Sequence, residues 1–184
     1  MRTLIYDTET TGLLKPDDSP LEEQPRIIEF YGVLINEEFE ILEEVNELIY
    51  PGVPISNEIT RITGIKNSDL DGKPVFEDVA HKVRNIFSKA DLVVAHNLAF
   101  DEAMVINEFS RCSISFDCSY EKLCTVEALK QEYGFRVSLS ALYKKLFNSS
   151  FKAHRAKDDV FALVKCFHHL TENGVIDLGQ FNKN

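Results

Sequence analysis

Asp7-Thr8-Glu9-Thr10-Thr11-Gly12 places two carboxylates two positions apart, directly after the apolar run Thr3–Tyr6. Side chains alternate faces along a strand, so Asp7 and Glu9 share a face if the strand runs through them. Two like charges so placed repel unless a cation sits between them. Hard carboxylate oxygens at this spacing suit Mg²⁺ or Mn²⁺. An exposed acidic turn would carry the same residues. In Ala95-His96-Asn97-Leu98-Ala99-Phe100-Asp101, a short apolar strand feeds a helix whose first turn holds Asp101. The positive helix N-terminus alone would favour an acid there. Asn97 reads as that helix's cap, and His96 has no duty assigned by its position. A third cluster is His154-Arg155-Ala156-Lys157-Asp158-Asp159. Two ligands on one helical face need a spacing of three or four, so five suits a loop histidine beside a helical carboxylate. Asp158 is turned about 100° from Asp159 around a helix. Asp158 therefore reads as a helix-dipole partner and Asp159 as a ligand.

These residues need a scaffold, and the pattern supplies one. Thr3–Tyr6, Ile27–Ile35 and Phe39–Tyr50 read as strands, with a turn at Asn36-Glu37-Glu38. Strands joined so closely form an antiparallel meander, because parallel neighbours need long crossovers. Leu14–Gln24, with Pro16 and Pro20, is a loop. Ser56 caps a short helix through Arg61, and Phe76–Phe87 carries helical apolar spacing. Leu92–Ala95 is a fourth strand. Helices are expected over Leu98–Phe109, Tyr120–Tyr133 with Gly134 as stop, Ser138–Phe147, and Ala156–Leu170. Strands first, then helices around one more strand, predict an α/β fold: a mixed sheet flanked by helices.

The 184 residues suit a single domain, with a core over about 1–172 and a short C-terminal tail. The composition is that of a globular protein, 44% hydrophobic and 27% charged. No apolar run approaches the roughly 20 residues that span a bilayer, and the N-terminus lacks a signal-peptide pattern; a cytoplasmic protein with no membrane partner is expected. Cys112, Cys118, Cys124 and Cys166 form no C-x-x-C pair and read as free thiols. Net charge is -10. Residues 1–60 hold 14 acids and three basic residues, while residues 61–184 hold 16 acids and 17 basic residues. A broad basic face for duplex DNA is therefore not expected. From Arg136 to Lys157, however, there are six basic residues and no acid. That stretch reads either as solvated helix charge or as a local phosphate-attracting rim, with Lys152 and Arg155 nearest the histidine.

Taken in order, Asp7-x-Glu9, His96-Asn-x-x-Phe100-Asp101 and His154-x-Ala156-x-x-Asp159 closely resemble the three motifs of the DnaQ-like, DEDDh family of 3′-to-5′ exonucleases. Asp7-Thr-Glu-Thr-Thr-Gly-Leu13 is similar to the family's opening motif. Arg26-Ile-Ile-Glu29 resembles its second strand, and Ile62-Thr63-Gly64-Ile65 its (His/Thr)-Gly-Ile segment. Leu139-x-x-Leu142 also fits. The resemblance reaches from residue 1 to about 170. It implies a ribonuclease H-like fold and a site for two Mg²⁺, with Mn²⁺ able to substitute. Asp7 would bridge the ions, Glu9 and Asp159 would complete one shell, and Asp101 would support the other, partly through water. His154 would be the general base. It implies hydrolysis from single-stranded 3′ ends, DNA before RNA, releasing nucleoside 5′-monophosphates.

Thr10 to Leu13, Asn97 and Phe100 resemble contacts to the terminal nucleotide, although Phe100 equally suits a core position. Thr63, where some members carry histidine, could contact a phosphate or base by hydrogen bond only. The chain ends 25 residues after Asp159, so a self-standing nuclease is expected ahead of a polymerase subunit. A polymerase partner is not indicated, and the oligomeric state is open. A non-catalytic nucleic-acid- or protein-binding module on the same fold is the alternative. It would be expected to have lost one of the five site residues.

Overall fold

The computed structural model describes residues 1–181, with the side chains of 131 and 132 excepted. Five strands form one sheet: β1 (Thr3–Thr10), β2 (Ile27–Ile35), β3 (Ile41–Leu48), β4 (Leu92–Ala95) and β5 (Glu121–Cys124). Their spatial order is β3-β2-β1-β4-β5. The first three pair antiparallel, while β4 and β5 add in parallel. The expected meander and mixed sheet are both present. The helices are α1 (Asn57–Thr63), α2 (Asn67–Leu70), α3 (Phe76–Ser88), α4 (Leu98–Arg111), α5 (Thr125–Tyr133), α6 (Leu139–Phe147) and α7 (Ala156–Glu172).

Strand alternation divides the core in two. Leu4 and Tyr6 of β1 pack with Phe30 and Leu34 of β2 against α3 and α4. Ile5, Tyr31 and Val33 face the other way, onto α6 and α7. Helix α3 buries the apolar stripe its sequence shows, Val79, Ala80, Val83, Ile86 and Phe87 among it. Ser56 caps α1 by accepting from the Ile59 N–H at 3.2 Å, and Ser138 caps α6 by accepting from Ala141. Gly134 ends α5 in the left-handed conformation, φ 76°, which glycine adopts without a Cβ clash.

Two expectations need correction. Tyr120–Tyr133 is not one helix: its first turn is β5, because Leu92–Ala95 offers a free parallel edge to residues 121–124. Asn97 occupies the cap position of α4 without a capping side-chain bond; its Oδ1 instead accepts from Arg136 Nη2 at 3.0 Å. The short tail expected after 172 packs against the domain as far as it is described. Ile176 is buried in the α7 cluster, with Leu178 and Phe181 packed beside it, while residues 182–184 lie outside the described part. Among the described residues no helix is long and apolar enough to cross a membrane.

Candidate active site

Strand β1 runs through Thr10, so Asp7 and Glu9 project from the same face as Ile5, toward α7. Asp159, in the first turns of α7, comes to meet them. One carboxylate oxygen from each of Asp7, Glu9 and Asp159 lies within 4.8 Å of the other two. All three are half-buried. The fourth carboxylate arrives from the opposite side. Asp101 is buried, and its Oδ1 accepts from Thr8 twice, from the amide at 3.1 Å and from the hydroxyl at 2.8 Å.

The electrostatics are those of acids crowded out of water. Burial first, then Asp101, Asp159 and Glu9, hold Asp7 well above the usual carboxylate range. Burial, then Asp159 and Glu29, push Glu9 up to about 8. Burial raises Asp101 to about 7, against the two lowering bonds from Thr8. Burial likewise raises Asp159 to about 6, although N–H groups of Arg155 and His154 favour its charged form. Protonated neighbours or divalent cations relieve such a cluster. The donor set is all carboxylate oxygen, which fits Mg²⁺ or Mn²⁺ and not a thiolate-seeking metal.

His154 precedes α7 in a left-handed backbone conformation, φ 68°. A non-glycine residue held there stores strain and marks a constrained position. The ring is exposed and is not among the atoms that gather with the carboxylates. It acts on Asp159 electrostatically, lowering the Asp159 pKa.

The remaining sequence candidates divide. Leu13 is 83% exposed at the end of the turn that leaves β1, and Thr10 braces that turn by donating to Gly12 O at 2.7 Å. Phe100 is half-buried against the α3/α4 core. Lys152 is exposed. Thr63 is buried, and its hydroxyl donates to Ile59 O and accepts from the Ile65 N–H. It finishes α1 and is not free to meet a substrate. Arg155 does not present a free cation either, because its guanidinium is bonded to Glu29. The basic stretch is thus largely committed to the protein: Arg136 to Glu127 and Asn97, Lys145 over the Tyr133 ring, Lys157 near Glu44.

Two other residues matter that sequence reasoning left without a role. His96 joins the end of β4 to α5 and the loop before α6. Its Nε2 donates to Val137 O and its Nδ1 accepts from Thr125 Oγ1, both at 2.9 Å; the carbonyl can only accept, which fixes the tautomer. Arg111 pins the loop beside Leu13, donating from Nη2 to the carbonyls of Leu21, Gln24 and Pro25. Glu108 joins it, accepting the Ile27 N–H at 3.0 Å. The expected loop over Leu14–Gln24 is thus tied to α4 at its C-terminal end. A cavity of about 1080 Å³ lies at the other end of the sheet among Met1, Arg84, Asp91 and Phe181, away from the carboxylates.

Comparison with known proteins adds to this geometry. The RNase T exonuclease family model matches residues 4–167. The DNA polymerase III subunit epsilon of Buchnera aphidicola subsp. Schizaphis graminum is 31% identical over 193 residues, covering 100% of this chain and 79% of the relative. A PolC-type DNA polymerase III of Caldanaerobacter subterraneus subsp. tengcongensis is 28% identical over 185 residues; the match covers 97% of this chain but 12% of that protein's length. Among solved structures, exonuclease X in complex with 5′-overhanging duplex DNA shares the fold. Its TM-score is 0.69 at 23% identity, over 97% of this chain and 96% of that one. The nuclease domain of 3′hExo, a DEDDh family member bound to rAMP, superposes with a TM-score of 0.75 at 17% identity, over 95% and 93%.

Proposed function

The chain belongs to the RNase T exonuclease family, among its DnaQ-like 3′-to-5′ enzymes, and on that premise we propose that it removes nucleotides singly from the 3′ end of single-stranded DNA. The observation that carries this reading is the meeting of Asp7, Glu9 and Asp159 oxygens within 4.8 Å, from segments about 150 residues apart along the chain. Asp7, Glu9 and Asp159 would hold divalent cations, two Mg²⁺ or Mn²⁺, with Asp101 supporting from the Thr8 side. When bound, such ions relieve charge on both the attacking and leaving oxygens of a phosphodiester displacement.

The chain's own residues do the rest. His154 accepts the proton of the attacking water as the water oxygen bonds to phosphorus. The bond from phosphorus to the 3′ oxygen of the preceding nucleotide breaks; that oxygen takes up a proton as the shortened strand's new 3′ hydroxyl, and a nucleoside 5′-monophosphate leaves. Leu13, exposed on its braced turn, packs against the last base, and Phe100 lies beside it. Lys152 attracts the backbone phosphates. DNA is favoured over RNA by the identity with a DNA polymerase III subunit. Residues 1–184 act as one exonuclease domain.

The test is a digestion series with 3′- and 5′-labelled single-stranded DNA and RNA in Mg²⁺, Mn²⁺ or EDTA, using native protein and Asp7→Ala. Native protein should release labelled mononucleotide first from 3′-labelled DNA, only with metal, and Asp7→Ala should not. Metal-supported binding without any release would instead make the chain a binding module.

A further inference from the structure

Glu29, the third residue of β2, is 2% exposed and lies directly opposite Glu9 in the β1–β2 register. Carboxylates facing each other across an antiparallel pair repel, and burial sharpens the conflict. Arg155 resolves it. Its Nε donates to Glu29 Oε2 at 3.1 Å and its Nη2 to Oε1 at 2.8 Å, the two-pronged geometry that a guanidinium matches and an ammonium does not. The Ala156 N–H adds a third donor to Oε2 at 3.0 Å.

Stability alone gives little reason for this arrangement, since a well-packed apolar residue often replaces a buried ion pair without loss. What the pair fixes is position. It ties the start of β2, at Glu29, to Arg155 and Ala156, the cap and first residue of α7. The residue before Arg155 is His154, held at φ 68°. The Arg155 amide donates to Asp159 Oδ2 at 3.0 Å. One residue thus grips Glu29 with its side chain, grips Asp159 with its backbone, and adjoins His154.

We infer that Glu29 and Arg155 are positioning residues for hydrolysis, their bridge fixing the first turn of α7 so that Asp159 meets Asp7 and Glu9 while the His154 turn keeps its strained shape. The inference rests on the proposed nuclease reading, and it assigns Arg155 a duty other than phosphate grip.

The experiment compares native protein, Arg155→Lys, Arg155→Met, the double variant Glu29→Gln/Arg155→Met, and Asp7→Ala. It measures kcat and KM on an oligo-dT substrate, the Mn²⁺ concentration giving half-maximal rate, and the metal-free melting midpoint, with all rates taken well below that midpoint. Arg155→Lys should keep the charge, lose the fork, and drop kcat about 10–100-fold, with KM held within about threefold and a higher Mn²⁺ requirement. Arg155→Met should also lower the melting midpoint by leaving Glu29 unpaired. The double variant should recover the midpoint but not kcat.

Native kcat and Mn²⁺ requirement in Arg155→Lys would overturn the inference. So would a double variant whose kcat returns with its stability. A raised KM at unchanged kcat, fading with salt, would return Arg155 to phosphate grip. If native protein released no nucleotide with metal present, the nuclease reading itself would fall; an active native protein and an inactive Asp7→Ala beside a native-like Arg155→Lys would sink only the positioning role.

Discussion

Thr8 and Asp101 are joined twice, through the Thr8 amide at 3.1 Å and its hydroxyl at 2.8 Å, both to the same carboxylate oxygen. Thr8 lies between Asp7 and Glu9 but faces the opposite side of β1. The candidate site therefore straddles one strand, with two acids offered toward α7 and a third held from the α4 side. β1 is the middle strand of the sheet, which lets elements on both faces reach it. Thr8→Val, which keeps shape but removes the hydroxyl, is expected to destabilise the fold by about 1–3 kcal/mol and to lower kcat. Chemical denaturation beside steady-state rates measures both; an unchanged unfolding midpoint would count against the bond.

The acids make the metal-free protein sensitive to pH in a definite direction. Glu9 is raised to about 8, Asp101 to about 7 and Asp159 to about 6. The folded state therefore holds protons that the unfolded chain, with carboxylates near 4, releases. Their contribution to stability is fully present below about pH 4 and is lost as pH rises through 6 to 8. The melting temperature of chelated protein should fall across that window, and saturating Mg²⁺ should flatten the decline. Asp7→Asn should raise the metal-free melting temperature at pH 8 while removing activity. A metal-free midpoint that climbs from pH 6 to 8 contradicts the cluster's electrostatics.

His154 differs from the carboxylates because it is exposed and outside their cluster. His154→Ala should cut kcat about 10²–10⁴-fold and leave the Mn²⁺ affinity close to native by calorimetry. Full turnover in that variant would remove the histidine from proton transfer.

Lys152 and Arg155 are neighbours in the basic stretch but occupy different situations. Lys152→Glu should raise KM at low ionic strength, with the effect shrinking once the Debye length falls below about 10 Å. Stopped-flow or steady-state kinetics across a salt series reads this directly. A KM that ignores both the substitution and the salt would place the strand's phosphates elsewhere.

Much of the site was legible because it depends on local periodicity. The two-residue spacing of Asp7 and Glu9 states their shared face, and the apolar runs of β2, β4 and α3 state their elements. What depends on partners distant along the chain was not legible. Residues 121–124 bury chiefly Leu123, too little pattern for a strand until β4 lies alongside. Glu29 stands in a motif visible in the sequence, but its position opposite Glu9 is a matter of register. For the same reason Arg155 reads as a surface cation until Glu29 appears 126 positions away. Thr63 reads as a substrate contact until the end of α1 takes its hydroxyl.

One pocket formed by Asp7, Glu9, Asp101 and Asp159 is proposed to hold a pair of divalent cations. Anomalous diffraction from crystals grown with Mn²⁺ addresses it most directly. Two peaks about 4 Å apart, in contact with Asp7, Glu9 and Asp159, are the predicted result. A map without manganese among these carboxylates, from crystals of protein that digests DNA in the same Mn²⁺ buffer, would contradict it.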